Sequence, residues 1–87
     1  MATVIIPSLL RRFTGGAERV TAGGRNLREV IESLERICPG IREHLLDEGE
    51  LKGSIVVSID GEVEAAGIQA PVREESEIYF LPAIGGG

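Results

Sequence analysis

The sequence predicts an α+β fold, a mixed sheet of four to five strands packed on one main helix, and three observations predict it. One segment, Leu27 to Cys38, repeats its apolar residues at the helical period. Short β-branched or alternating runs stand on both sides of it, separated by Gly, Pro and Asp-Gly breaks. The length, 87 residues, allows one modest core, and a hydrophobic content of 43% with two Phe, one Tyr and no Trp makes that core aliphatic.

Taken in order, Thr3 to Ile6 is a β-branched run closed by Pro7, with Val4 and Ile6 on one face and Thr3 and Ile5 on the other. Leu9, Leu10 and Phe13 follow in a segment that carries two arginines and ends at the turn signal Thr14-Gly15-Gly16. Glu18 to Ala22, centred on Val20, is the return strand, which makes a hairpin with a long loop. After the break at Gly23-Gly24, Asn26 is the helix N-cap and Glu29, three positions on, its capping-box partner. The helix buries Leu27, Val30, Ile31, Leu34, Ile37 and Cys38. Arg28, Glu32 and Arg36 stand at four-residue intervals on the opposite face, a spacing that pairs opposite charges. Pro39-Gly40 ends it.

Ile41 to Leu46 forms one further turn with Ile41 and Leu45 or Leu46 inward, and the polar stretch Asp47 to Gly53 reads as a surface loop. Ser54 to Ile59 is a strand in which Ile55, Val57 and Ile59 alternate with Val56 and Ser58. Asp60-Gly61 is a two-residue hairpin turn that returns Glu62 to Glu64 onto it. Ala65 to Pro71 is an irregular connection, and Val72 to Glu75 leads through a charged turn into the last strand, Ser76 to Leu81, closed by Pro82. There Ile78 and Phe80 share one face, and Tyr79 and Leu81 the other. One helix covers only one side of such a sheet, so Ile5, Val56, Tyr79 and Leu81 form an apolar patch on the other, the kind of surface that marks a partner-docking site.

A net charge of −5 argues against a nucleic-acid partner, since such binders concentrate positive charge. The nine basic residues are eight arginines and Lys52, scattered along the chain. No apolar run approaches the ~18 residues of a membrane span, and the start has no signal-peptide pattern, so no membrane partner and a cytoplasmic location are expected.

Catalytic groups are sparse. His44, the one histidine, stands in a charged segment without a nucleophile beside it, and Cys38 occupies the apolar stripe at the C-terminal end of the helix, where the dipole disfavours a thiolate. The carboxylates show no metal-ligand spacing. The glycine clusters match neither G-x-x-x-x-G-K-[ST] nor G-x-G-x-x-G. No catalytic residue, metal site or bound cofactor is therefore expected. What remains is the terminal carboxylate of Gly87.

Residues 1–82 read as the domain and 83–87 as a flexible C-terminal tail, Ala83, Ile84, Gly85, Gly86 and Gly87. Fully extended, those five residues reach at most roughly 17 Å, enough to carry the carboxylate into another protein's active site. A carboxylate is a poor electrophile and needs activation, most simply by attack on ATP to give an acyl-adenylate. Sulfide attacking that carbonyl gives a thiocarboxylate; an amine gives an isopeptide bond.

The strand order and the ending E-I-Y-F-L-P-A-I-G-G-G resemble the MoaD/ThiS family of ubiquitin-like sulfur carriers, which have the β-grasp fold, and the resemblance covers essentially the whole chain. Ile6-Pro7-Ser8-Leu9-Leu10-Arg11 with Thr14-Gly15-Gly16 is most similar to the cysteine-forming, CysO-type branch. The resemblance implies that a ThiF/MoeB-like enzyme consumes ATP to adenylate Gly87, which becomes a thiocarboxylate. It further implies that a pyridoxal-phosphate cysteine synthase accepts the sulfur and that a metalloprotease frees cysteine from the carrier. The chain itself would be a protein substrate, not an enzyme, its tail entering the partner's active site and Leu81 and Tyr79 joining the docking patch. Gly85 departs from the family, which more often has Ala or Ser there. Two alternatives use the same tail: a molybdopterin synthase small subunit, acting with its larger subunit, and a ubiquitin-like modifier that forms isopeptide bonds.

Overall fold

The computed structural model describes residues 1–82, and the segment 83–87 lies outside them. Strand β1 (Ala2–Ile5) pairs antiparallel with β2 (Arg19–Ala22), and the loop between them holds a 3₁₀ segment, Ser8–Thr14, closed by Gly15 in the left-handed conformation. Helix α1 (Leu27–Ile37) and the short α2 (Arg42–Leu45) follow. Next come a small hairpin of β3 (Leu46–Asp47) and β4 (Glu50–Leu51), then β5 (Ile55–Ile59), β6 (Glu62–Val63) and β7 (Glu77–Pro82). The main sheet has five strands in the order β2-β1-β7-β5-β6. Only β1 and β7 run parallel, so the sheet is mixed, and with one main helix across it the fold is β-grasp.

The pleat decides which residues meet the helix. Val4, Val57, Ile78 and Phe80 point inward with Ile6 and pack on Leu27, Val30, Ile31 and Leu34 of α1, all of them at most 4% exposed. Fully burying a side chain of this size contributes ~1.5–3 kcal/mol, which is what holds the helix on the sheet. The N-terminus of α1 is capped as its sequence requires. The Asn26 side chain accepts from the Glu29 N–H at 2.9 Å, and the Glu29 carboxylate reaches back to the Arg25 N–H, one residue earlier than the standard capping-box partner. Gly24 lies against this first turn so closely that a Cβ there would sit 2.6 Å from the Val30 nitrogen.

Three sequence expectations need correction. Ile37 is 55% exposed instead of joining the buried stripe, because Cys38, 3% exposed, closes the stripe as the helix unwinds into its C-cap. Glu32 pairs with Arg42 across the α1–α2 corner, not with Arg28 or Arg36 on its own helix. In that corner the Glu35 carboxylate accepts the N–H groups of Gly40 and Arg42, which hold it below the ordinary glutamate range. Finally, residues 47–53 are not simply a loop: Glu48 and Gly49, both at positive φ, turn β3 back onto β4. No helix among the described residues is long and apolar enough to cross a membrane.

The hairpin turn at Asp60-Gly61 forms as expected, with φ of 53° and 87°, and Asp60 does more than turn the chain. Its carboxylate accepts from the Glu77 N–H and from the Ser76 hydroxyl, both at 2.9 Å, while its own N–H donates to the Glu77 carbonyl. These bonds tie the β5–β6 turn to the start of β7, and they hold the Asp60 carboxyl below its ordinary range, the Glu77 N–H contributing most. A carboxylate depressed on folding stabilises the fold above its unfolded pKa, and that contribution is lost as the pH falls through the folded value. Asp60→Asn keeps the turn geometry and removes the charge. It should therefore lower Tm at pH 7, with the difference from the parent shrinking below about pH 4 in a thermal-melt series. A gap that stays constant down to pH 2 would show that the charge is not responsible.

Candidate functional site

The face of the sheet turned away from α1 is read directly from the register. Ile5 lies beside Tyr79, Tyr79 faces Ser58, Val56 faces Leu81, and Ser58 faces Val63. Ile5, Val56 and Tyr79 are half-buried by their neighbours, while Leu81 is 43% and Val63 69% exposed. All four sequence-predicted patch residues, Ile5, Val56, Tyr79 and Leu81, thus share this uncovered face. Val63 belongs to it too. Counting back from Asp60-Gly61 through the Ser58–Val63 pair would have found it.

Polarity is graded along that face. At the start of β7 the outward positions are Thr3, Thr21 and Glu77, and Arg19, which stands beside Ile5 one row further on, pairs with Glu77 at 3.9 Å across β1. Toward the end of β7 they become apolar. Because β1 and β7 are parallel and β5 is antiparallel to them, the end of β1, the end of β7 and the beginning of β5 meet at one end of the sheet. Pro82, the last described residue, stands opposite Ile55 at this apolar end.

At that end a groove of about 590 Å³ runs between the 3₁₀ segment and the sheet, lined in part by Pro7, Leu9, His44, Ile55, Phe80 and Leu81. Leu9, 85% exposed, stands on its rim, whereas its neighbour Leu10 turns into the core. Sequence reasoning gives Leu9 no role, because the residues alone do not say which of two successive leucines faces the core. His44 stacks tilted against Phe13 with ring centroids 4.9 Å apart, and the Arg12 guanidinium sits over the Phe13 ring, 4.9 Å from its centroid. The histidine is therefore held by packing. Cys38 is buried, and its thiol is pushed up by desolvation and by the charge of Glu35, which makes it unreactive. Among the described residues no three His, Cys, Asp or Glu side chains gather as metal ligands.

Residues 4–87 match the ThiS family. The chain belongs to that family. Its relatives include the sulfur carrier protein CysO of Mycobacterium tuberculosis and of Mycobacterium bovis, each 34% identical over 90 residues, spanning 98% of this chain and 97% of the relative. Among solved structures, a chain of the Amycolatopsis orientalis BexX/CysO complex superposes with a TM-score of 0.92 at 35% identity, covering 100% of both chains. The crystal structure of M. tuberculosis CysO gives 0.91 at 32% identity, over 97% of this chain and 100% of that one. Small archaeal modifier protein 1 of Methanosarcina acetivorans, at 24% identity and a TM-score of 0.79 over 99% of this chain and 95% of its own, shares the ThiS-family fold. The expected terminal residues Ala83, Ile84, Gly85, Gly86 and Gly87 lie outside the described part of the structure.

Proposed function

We propose that this chain is a sulfur carrier whose Gly87 carboxylate becomes a thiocarboxylate and supplies sulfur for cysteine formation. The observation that carries this reading is the likeness to CysO over nearly the whole chain, 34% identity in sequence and a TM-score of 0.92 in fold, and the sequence includes the glycine run Gly85-Gly86-Gly87. In the proposed cycle a Gly87 carboxylate oxygen attacks the α-phosphorus of ATP on a ThiF/MoeB-like enzyme, and pyrophosphate leaves. Sulfide then attacks the acyl carbon, the bond to AMP breaks, and the thiocarboxylate remains. A pyridoxal-phosphate cysteine synthase is the proposed acceptor, in the cytoplasm, and a metalloprotease the proposed releasing enzyme. Both catalytic steps use the partners' groups, and the chain contributes its terminus and a surface to hold. No cofactor is assigned to the chain itself.

The surface follows from the sheet. An outward apolar face next to the departure point of the tail lets one partner grip the domain and receive the carboxylate at once, so Ile5, Val56, Tyr79 and Leu81 are assigned to docking. The likeness to archaeal modifier proteins is one of fold and does not favour conjugation over sulfur donation.

Two variants test the reading. Removing Gly86 and Gly87 should abolish thiocarboxylate formation with the activating enzyme, ATP and a sulfide source, while Tm stays within about 2 °C because the buried core of the described residues ends at Phe80. Thiocarboxylate on the truncated chain would end the proposal. Leu81→Glu places a charge on the docking face at a position already open to water. It should change stability by less than ~0.5 kcal/mol yet slow activation about tenfold or more in steady-state assays. Unchanged kinetics would remove Leu81 from the interface.

A further inference from the structure

Leu9 is left almost wholly in water, 85% exposed, and the 3₁₀ segment around it is held in place by hydrogen bonds. The Leu10 N–H donates to the Pro7 carbonyl at 2.8 Å, Arg11 Nε to the Ile6 carbonyl at 3.2 Å, and Thr14 Oγ1 to the Arg11 carbonyl at 3.0 Å. These bonds tie the segment to itself and to the chain just past β1. Leu9 is thus presented from a fixed place, and a group already set in position loses little freedom when it is bound.

Beside Leu9 lies the groove of about 590 Å³, with the buried Leu45 and Phe80 at its floor and Leu81 also lining it. A small ligand lodged there would leave Leu9 in water. A protein segment laid across it covers leucine and groove together, and Leu81 joins the groove to the uncovered face of the sheet, so one partner surface can lie on both.

Charge narrows the partner. The chain has fourteen Asp and Glu against nine Lys and Arg, yet no Asp or Glu is among the described residues that line the groove, whereas Arg12 and His44 are. The ion pairs of the described residues involve Arg11, Arg19 and Arg42, and Arg12 is in none of them. Its guanidinium rests over the Phe13 ring, a fixed support, with N–H donors to offer a carboxylate. His44, stacked on the same ring, adds an imidazole N–H. The complement of this surface is an aliphatic side chain next to a carboxylate. In the proposed cycle the first protein to hold the domain is the activating enzyme, before any sulfur is attached.

We propose that this groove, with Leu9 at its rim, receives a segment of the activating enzyme that carries an aliphatic side chain beside Asp or Glu. Leu9 packs on the aliphatic part, and Arg12 and His44 take the carboxylate. Arg12 is open to water, so its charge acts mainly on encounter, and association weakens as salt rises. The proposal rests on the carrier reading and names the partner surface that it needs.

The experiment has two arms, only one of which depends on that reading. In the first, isotope-labelled full-length protein is titrated by NMR with acetyl-Asp-Leu-Asp-Leu-Glu amide and with the same peptide carrying lysines in place of the acids. The acidic peptide should shift the amides of Leu9, Arg12, His44 and Leu81, the lysine peptide should leave them unmoved, and Arg12→Glu should reverse the preference. In the second, thiocarboxylate formation is followed with the activating enzyme, ATP and a sulfide source. Leu9→Ser and Arg12→Glu should each raise KM for the carrier about tenfold with kcat and Tm unchanged, and Arg12→Glu should flatten the salt dependence of kcat/KM.

Equal shifts from both peptides, shifts confined to other surfaces, or the parent's KM in both variants would overturn the groove, and thiocarboxylate formed on the parent would leave the carrier reading standing. Groove shifts that grow with protein concentration in the absence of peptide would make a second copy the occupant. Acidic peptide bound only after residues 83–87 are removed would make the chain's own terminus the occupant. Either result overturns the proposal. Binding of the acidic peptide with no thiocarboxylate on the parent would keep the groove's preference for acidic segments and overturn both the carrier reading and the activating enzyme as occupant.

Discussion

The parallel pairing of β1 with β7 is the contact on which the rest of this structure depends. Thr3, Val4 and Ile5 lie beside Glu77, Ile78 and Tyr79, which makes the last strand the middle one of the sheet and the first strand its neighbour. Strands β2 and β5 flank this pair on opposite sides and run parallel to each other, so the chain between them must cross the sheet, and α1 is the element that does so. Its stripe of Leu27, Val30, Ile31 and Leu34 covers one face, and no comparable stripe is left for the other. The uncovered face and the position of Pro82 at its apolar end thus follow from how these strands are ordered.

The same pairing separates support from function. Residues that hold the fold point inward along β1, β5 and β7, while alternate residues of the same strands, Ile5, Val56, Tyr79 and Leu81, face out near Pro82. Asp60, tied to Ser76 and Glu77, fixes where β7 begins, and the Pro82–Ile55 pair marks the end of the described strand.

Much of this was legible in the residues because local signals and the final packing agree. The Asn26 cap, the period of α1, the Asp60-Gly61 turn and the inward pair Ile78 and Phe80 needed no tertiary knowledge. Where distant contacts decide, the reading went astray. Glu32 finds Arg42 only because the chain doubles back after Gly40, and Ile37 is left outside only because Cys38 turns inward at the cap. Strands β3 and β4 have two residues each, too short for an alternation to show, and their turn depends on Glu48 adopting a positive φ that its identity does not advertise. Leu9 and Val63 gained meaning from the groove and the cross-strand register. The terminal glycines were read from sequence and resemblance.

That the terminus of this chain carries sulfur is best tested by an intact mass of the protein drawn from its own cells, kept cold and free of added thiols. The expected result is a species heavier by the difference between one sulfur and one oxygen, localised by fragmentation to Gly87. Finding only the free carboxylate, in cells that express the activating enzyme and are supplied with sulfide, would contradict it.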